Sequence, residues 1–151
     1  MRDTNPWWWH RRARLSFHTV ADAHAVRVLV VEDDPLTRKM LATFLTEEGF
    51  MVATAHDGAH ALRVAAASAP DVIVLDIGLP VLDGSGFALR WRQRPGAQHV
   101  PIIAISALAY GDELAREIGV VSFHPKPFDL DLLVTDVRRV AERRRSAADA
   151  P

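Results

Sequence analysis

Val72-Ile73-Val74-Leu75-Asp76-Ile77-Gly78-Leu79-Pro80 is an apolar run that delivers one carboxylate and is then stopped by glycine and proline. Such a run predicts a strand buried on both faces, with Asp76 at its carboxyl end. Open α/β sheets keep their chemistry at that end. Upstream, residues 26–31 form a second run of this kind, rich in β-branched residues and followed by Glu32-Asp33-Asp34-Pro35. Leu36, Met40, Leu41, Phe44 and Leu45 then recur at helical spacing, with Pro35 suited to the first turn, Asp34 to the N-cap and Gly49 to the stop. Residues 51–56 predict a short strand, Asp57-Gly58 a turn and residues 59–68 an alanine-rich helix broken by Pro70-Asp71.

Downstream of the opening stretch, Asp83-Gly84 turns into a helix carrying Phe87 and Trp91 four residues apart, and Pro95-Gly96 ends it. Residues 101–106 predict a fourth buried strand that ends in the Ser106 hydroxyl. Residues 112–118 predict a short helix closed by Gly119, and residues 120–124 a fifth strand leading into Pro125-Lys126-Pro127-Phe128. Leu130, Leu133, Val134, Val137 and Val140 mark a last amphipathic helix, with Asp129 placed to cap it. Strand–helix alternation repeated five times with short connections predicts an α/β fold. It is a doubly wound, five-stranded parallel sheet in the order 2-1-3-4-5, with helices on both faces as a three-layer sandwich.

With 151 residues, 49% of them apolar and 25% charged, the chain fits one globular domain. The expected organisation is an N-terminal extension at 1–25, a folded body at 26–143 and a polar tail at 144–151. No apolar run approaches a membrane span, there is no secretory h-region, and there is no cysteine, so disulfides and thiolate chemistry are excluded and the expected location is cytoplasmic. The net charge of −1 is unevenly spread. Arg2, Arg11, Arg12 and Arg14 against Asp3 and Asp22 leave about +2 at the start. Arg138, Arg139, Arg143, Arg144 and Arg145 against Glu142 and Asp149 leave about +3 at the end, so the middle is acidic at about −6. The basic ends are expected to be solvated rather than a nucleic-acid surface. Trp7-Trp8-Trp9 beside Arg11 and Arg12 could stack on a partner or enter a membrane interface; a floppy leader or an over-long translation start is the simpler account.

In the predicted sheet order, the strand ends bring together Glu32 and Asp33, then Asp76, then Ser106, then Lys126. Crowded carboxylates raise one another's pKa, and a hard divalent cation such as Mg²⁺ relieves this. Asp76 could then act as a nucleophile on a phosphoryl group, with the metal, the Lys126 ammonium and the Ser106 hydroxyl neutralising its oxygens. Asp34 and Asp83 fit capping and turn chemistry, and His56, His60 and His124 have no metal-ligand spacing.

Five pieces together resemble the receiver domains of two-component response regulators, the CheY-like fold. They are Val31-Glu32-Asp33-Asp34-Pro35, Val74-Leu75-Asp76-Ile77-Gly78-Leu79-Pro80, Asp83-Gly84, Ile105-Ser106-Ala107 and Lys126-Pro127-Phe128. Each alone is weak; in this order and spacing they are specific, and they cover residues 26–143. The resemblance implies that Asp76 accepts a phosphoryl group from the phosphohistidine of a histidine kinase or histidine phosphotransfer protein. It also implies Mg²⁺ held by Asp33, Asp76 and the Gly78 backbone carbonyl, with Glu32 acting through water. Ser106 and Lys126 are then phosphoryl-binding groups, the Lys126-Pro127 bond is cis, and Phe123 is an aromatic switch that turns inward with Ser106. The implied output is a target protein in trans or a homodimer through the helix 4–strand 5–helix 5 face, with no nucleic acid expected and no enzymatic activity beyond the domain's own phosphoryl transfer and acyl-phosphate hydrolysis. A receiver-like interaction module that works without phosphorylation is the competing reading.

Three departures from the family pattern stand out. The stretch from Ser106 to Lys126 is short, which predicts a trimmed loop or fourth helix. Pro125 removes a backbone donor late in the fifth strand and should loosen or edge-expose it. His60 stands where an acidic residue is common.

Overall fold

The computed structural model describes residues 25–79 and 84–150. The Trp7-Trp8-Trp9 segment, Pro80 and Asp83 lie outside them. Five strands, β1 (Arg27–Val31), β2 (Met51–Ala55), β3 (Val72–Asp76), β4 (Ile102–Ser106) and β5 (Ser122–Pro125), alternate with five helices. The helices are α1 (Pro35–Glu47), α2 (Gly58–Ser68), α3 (Gly84–Arg92), α4 (Gly111–Glu117) and α5 (Leu130–Ala148). All strand pairs are parallel and the order is β2-β1-β3-β4-β5, as the alternation of apolar runs and amphipathic stretches predicts.

The core divides by strand alternation. Leu29, Val31, Ile73, Leu75, Ile102 and Ala104 face Ala61, Ala65, Phe87, Ala88, Trp91 and Ala115 of α2, α3 and α4. The intervening Val28, Val30, Val72, Val74, Ile103 and Ile105 face Leu41 and Leu45 of α1 and Leu133, Val134, Val137 and Val140 of α5. The three central strands are therefore apolar on both sides, which is why β3 shows no polar alternation before Asp76. Local signals set the ends: Asp34 accepts the Thr37 N–H at 2.7 Å, and Asp129 accepts those of Asp131 and Leu132. Asp57 caps α2 through the His60 N–H, so that helix begins at Gly58 rather than 59. Gly49 leaves α1 with φ +94°, a conformation other residues avoid.

Two differences from the sequence expectation concern the connections. A 3-10 turn, Ala97–His99, precedes β4 and is not signalled by periodicity. Helix α5 continues to Ala148, so residues 144–148 are helix rather than tail. Arg144 anchors that last stretch by donating to Asp71 Oδ1 at 2.9 Å, a partner 73 residues away. The trimmed fourth helix is present: α4 has seven residues. Pro125 sits on the edge strand β5, where it lies opposite Ser106 and has no N–H to give; the Ser106 carbonyl takes the Lys126 N–H instead, at 2.8 Å. The Lys126-Pro127 bond is cis.

Candidate functional site

The carboxyl ends of four strands converge. Glu32 and Asp33 directly follow β1, Asp76 and Ser106 are the last residues of β3 and β4, and Lys126 directly follows β5. Lys126 Nζ lies between two carboxylates, 2.7 Å from Glu32 Oε2 and 2.8 Å from Asp76 Oδ2. Glu32 is fully buried and Asp76 nearly so, while Asp33 is exposed. The other oxygens are also engaged: Glu32 Oε1 accepts the Asp34 N–H at 3.1 Å, and Asp76 Oδ1 accepts the Gly78 N–H at 2.8 Å.

Burial pushes the Glu32 carboxyl up from 4.5 to about 7, and the negative charge of Asp76 adds to this; hydrogen bonds from Lys126 and Asp34 oppose it. Burial works against the charge on Lys126 as well, but its hydrogen bonds to Asp76 and Glu32 prevail and hold its pKa above the ordinary lysine value. One ammonium thus serves two buried carboxylates, with Asp33 beside them. One oxygen from each of Glu32, Asp33 and Asp76 lies within 4.8 Å of the others.

That donor set fits a hard divalent cation: three carboxylates, more negative charge than Lys126 neutralises, and an exposed member at the entrance. Gly78 contributes through what it lacks, since a Cβ there would lie 3.3 Å from Asp76 Oδ1 and 3.6 Å from Leu108 Cγ. A side chain at this position would crowd the approach to the carboxylate.

Ser106 is buried, and its Oγ accepts the Leu108 N–H at 3.0 Å. Phe123 is half-buried on β5 and packs against the cluster under α2, α3 and α4. Glu32, Asp33, Asp76, Gly78, Ser106 and Lys126 therefore gather at one edge of the sheet, while Phe123 lies within β5, three residues before Lys126. The histidines are placed elsewhere. His56 is exposed and pairs with Asp57 at 2.9 Å, His60 stacks near His56, and His124 Nε2 meets Asp136 Oδ2 at 3.0 Å between β5 and α5.

Arg38 was not anticipated. From the first turns of α1 its Nη1 donates to the Glu32 carbonyl at 2.8 Å and the Asp33 carbonyl at 3.0 Å, so it shapes the acidic turn through its backbone. Its only sequence signal is a place four residues after Asp34, where a side chain can fold back over the preceding loop.

Comparison with known proteins agrees with this geometry. The family described as the response regulator receiver domain matches residues 28–138. Among curated relatives, the transcriptional regulatory protein PrrA of Mycobacterium tuberculosis is 43% identical over 124 residues, covering 81% of this chain and 52% of that protein. The chain thus spans about half the length of this relative. Among solved structures, the receiver domain of a sensor histidine kinase from Pseudomonas aeruginosa, with a magnesium ion coordinated in its active site cleft, has 31% identity and a TM-score of 0.72. The alignment covers 78% of this chain and 98% of that one. The chemotaxis protein CheY4 of Vibrio cholerae has 29% identity and a TM-score of 0.71, covering 77% and 98%. With a transcriptional regulatory protein among the relatives, the expectation that nucleic acid plays no part in output finds no support.

Proposed function

Since the chain belongs to the response regulator receiver family, we propose that it works as a phosphoacceptor switch in which Asp76 takes a phosphoryl group from a histidine kinase or histidine phosphotransfer protein. The observation that carries this reading is Lys126 Nζ bridging the buried carboxylates of Glu32 and Asp76, with Asp33 completing a three-carboxylate cluster. Such a charge arrangement is costly to maintain in a purely structural role and suits a site built to receive a metal and a phosphoryl group.

Asp33, Asp76 and the Gly78 carbonyl would hold Mg²⁺, with Glu32 acting through water. When bound, Mg²⁺ supplies positive charge to the carboxylates and to the phosphoryl oxygens. A carboxylate oxygen of Asp76 attacks the phosphorus of the donor phosphoimidazole. The P–N bond breaks, a P–O bond forms, and the imidazole leaves with the bonding pair and takes up a proton. Lys126, already 2.8 Å from Asp76 Oδ2, stays beside the new phosphoryl oxygens. Ser106 exchanges its Leu108 N–H for a phosphoryl oxygen to which its hydroxyl donates, and the inward population of the Phe123 ring rises with it. Attack of water on phosphorus later releases inorganic phosphate and restores the carboxylate.

The product of transfer remains on the chain, so the output is a changed surface rather than turnover. That surface acts on a target in trans or on a second copy through α4, β5 and α5, in the cytoplasm. Incubation with acetyl phosphate and Mg²⁺ is expected to add one phosphoryl group to the intact mass, and the Asp76→Asn protein none. Equal labelling of both, or of neither while folded, would rule the reading out.

A further inference from the structure

Gly111 opens α4, and its surroundings differ from those of Gly49, Gly78, Gly96 and Gly119. An ideal Cβ built on it would lie 2.8 Å from Phe123 Cζ, 3.1 Å from Phe123 Cε2 and 3.2 Å from Ser106 Cβ. The first distance is closer than a real Cβ tolerates, so any side chain at 111 must displace something. Backbone conformation does not account for the glycine. Gly49, Gly96 and Gly119 adopt positive φ, whereas Gly111 does not. Helix propensity argues against it too, because alanine is the better residue in a helix. What Gly111 provides is room, and the group occupying that room is the distal edge of the Phe123 ring.

The same turn reaches the Ser106 hydroxyl. Leu108 N–H donates to Ser106 Oγ at 3.0 Å, and Leu108 C=O accepts the Gly111 N–H at 3.1 Å. Movement of the Ser106 hydroxyl releases Leu108, and Leu108 holds the start of α4 on which the ring rests. Of the groups meeting at this point, Ser106 is fixed in the buried strand β4, whereas Phe123 is half-buried on the edge strand. The ring is the more exposed of the two.

We infer that Gly111 is a positioning residue of the switch: its missing side chain leaves open the space beside Ser106 Cβ into which the tip of the Phe123 ring reaches, so the inward population of the ring is set at position 111. The inference rests on the phosphoacceptor reading only for its consequence, namely that an open seat favours the Ser106 position that meets a phosphoryl group on Asp76. A side chain at 111 then biases the ring outward and weakens phosphoryl-group binding by linkage.

The test places 4-fluorophenylalanine at position 123 of the full chain and compares the parent protein with Gly111→Ala by ¹⁹F NMR, free and with Mg²⁺ and beryllofluoride. In the parent the label is expected to give a resonance with a small H₂O/D₂O shift. In Gly111→Ala the resonance moves and its solvent shift grows. Beryllofluoride affinity, followed by amide NMR, falls by about tenfold. In a Phe123→Ala background, which removes the clash and remains informative should the single variant not fold, Gly111→Ala changes that affinity by less than about twofold. An unchanged ring resonance in folded Gly111→Ala, or an undiminished affinity loss in the Phe123→Ala background, overturns the inference. Failure of the parent to bind beryllofluoride overturns the phosphoacceptor reading instead, and the ring positions in the free proteins still decide the seat.

Discussion

Lys126 shows how much of the site rests on one side chain. Its ammonium is the common partner of two carboxylates that are otherwise shielded from water, and removing one partner of a buried charge cluster costs more than the cluster's net worth. Because the folded-state pKa of Glu32 is raised to about 7 from 4.5, folding favours its protonated form. The contribution of Glu32 to stability is therefore fully present below about 4.5 and is lost as pH rises through about 7. In Lys126→Met the ammonium no longer opposes this upward shift. Urea unfolding of the metal-free protein is expected to show a loss of about 3 kcal/mol at pH 8 and a markedly smaller one at pH 5.5. An equal loss at both pH values would mean that the pair is not the cause. Arg38 acts on the same turn from outside. Truncation to alanine removes two hydrogen bonds to backbone carbonyls and should destabilise by about 1–2 kcal/mol in the same assay. It should also weaken Mg²⁺ binding, because Glu32 and Asp33 lose their backbone support.

At the scale of elements, β5 is the strand with most to lose, since it has one strand neighbour and ends in Pro125. A polar clasp holds it to α5. The nearly buried Asp136 meets His124 Nε2 at 3.0 Å and the Arg139 guanidinium, and takes a further hydrogen bond from Ser122. Burial works against the Asp136 charge, but those three hydrogen bonds prevail and hold its pKa below the usual aspartate value. Its stabilising contribution is accordingly present above the unfolded value of 3.8 and lost as pH falls through the lower folded value. Asp136→Ala is expected to cost about 2–3 kcal/mol near neutral pH and to speed amide exchange in β5 more than in β3. Uniform exchange changes would contradict a local clasp. Connections of this kind explain where the sequence was hard to read. The alternation of apolar runs located every strand, and Asp34, Asp129 and Gly49 located helix ends, because these signals act within a few residues. The length of α5 was missed because Arg143–Arg145 resembles a solvated tail until Asp71, across the fold, supplies a partner for Arg144. The brevity of α4 was legible because the spacing from Ser106 to Lys126 is a local count.

For the whole molecule, the parallel sheet is what turns scattered residues into one site. Glu32 and Lys126 are 94 residues apart in sequence and 2.7 Å apart in space, brought together by β1 and β5 feeding the same edge. Their convergence was readable from the sheet order alone. That Lys126 would grip both carboxylates at once, and that Gly111 would leave space behind Ser106, was not, since both depend on side-chain packing between distant elements. The frame is expected to unfold as a single cooperative unit: cutting Ile103, fully buried on β4 and facing α1 and α5, to alanine should cost about 2–5 kcal/mol, with one unfolding transition. On the phosphoacceptor reading, this frame directs the phosphoryl group to Asp76 and to no other aspartate. Reduction with borohydride converts an aspartyl phosphate to homoserine, so the protein treated with acetyl phosphate and Mg²⁺, then reduced and digested, reports the modified residue by mass spectrometry. Homoserine at position 76, dependent on Mg²⁺ and absent at Asp33, is the predicted result; homoserine at another aspartate, or none in folded protein, would contradict the account.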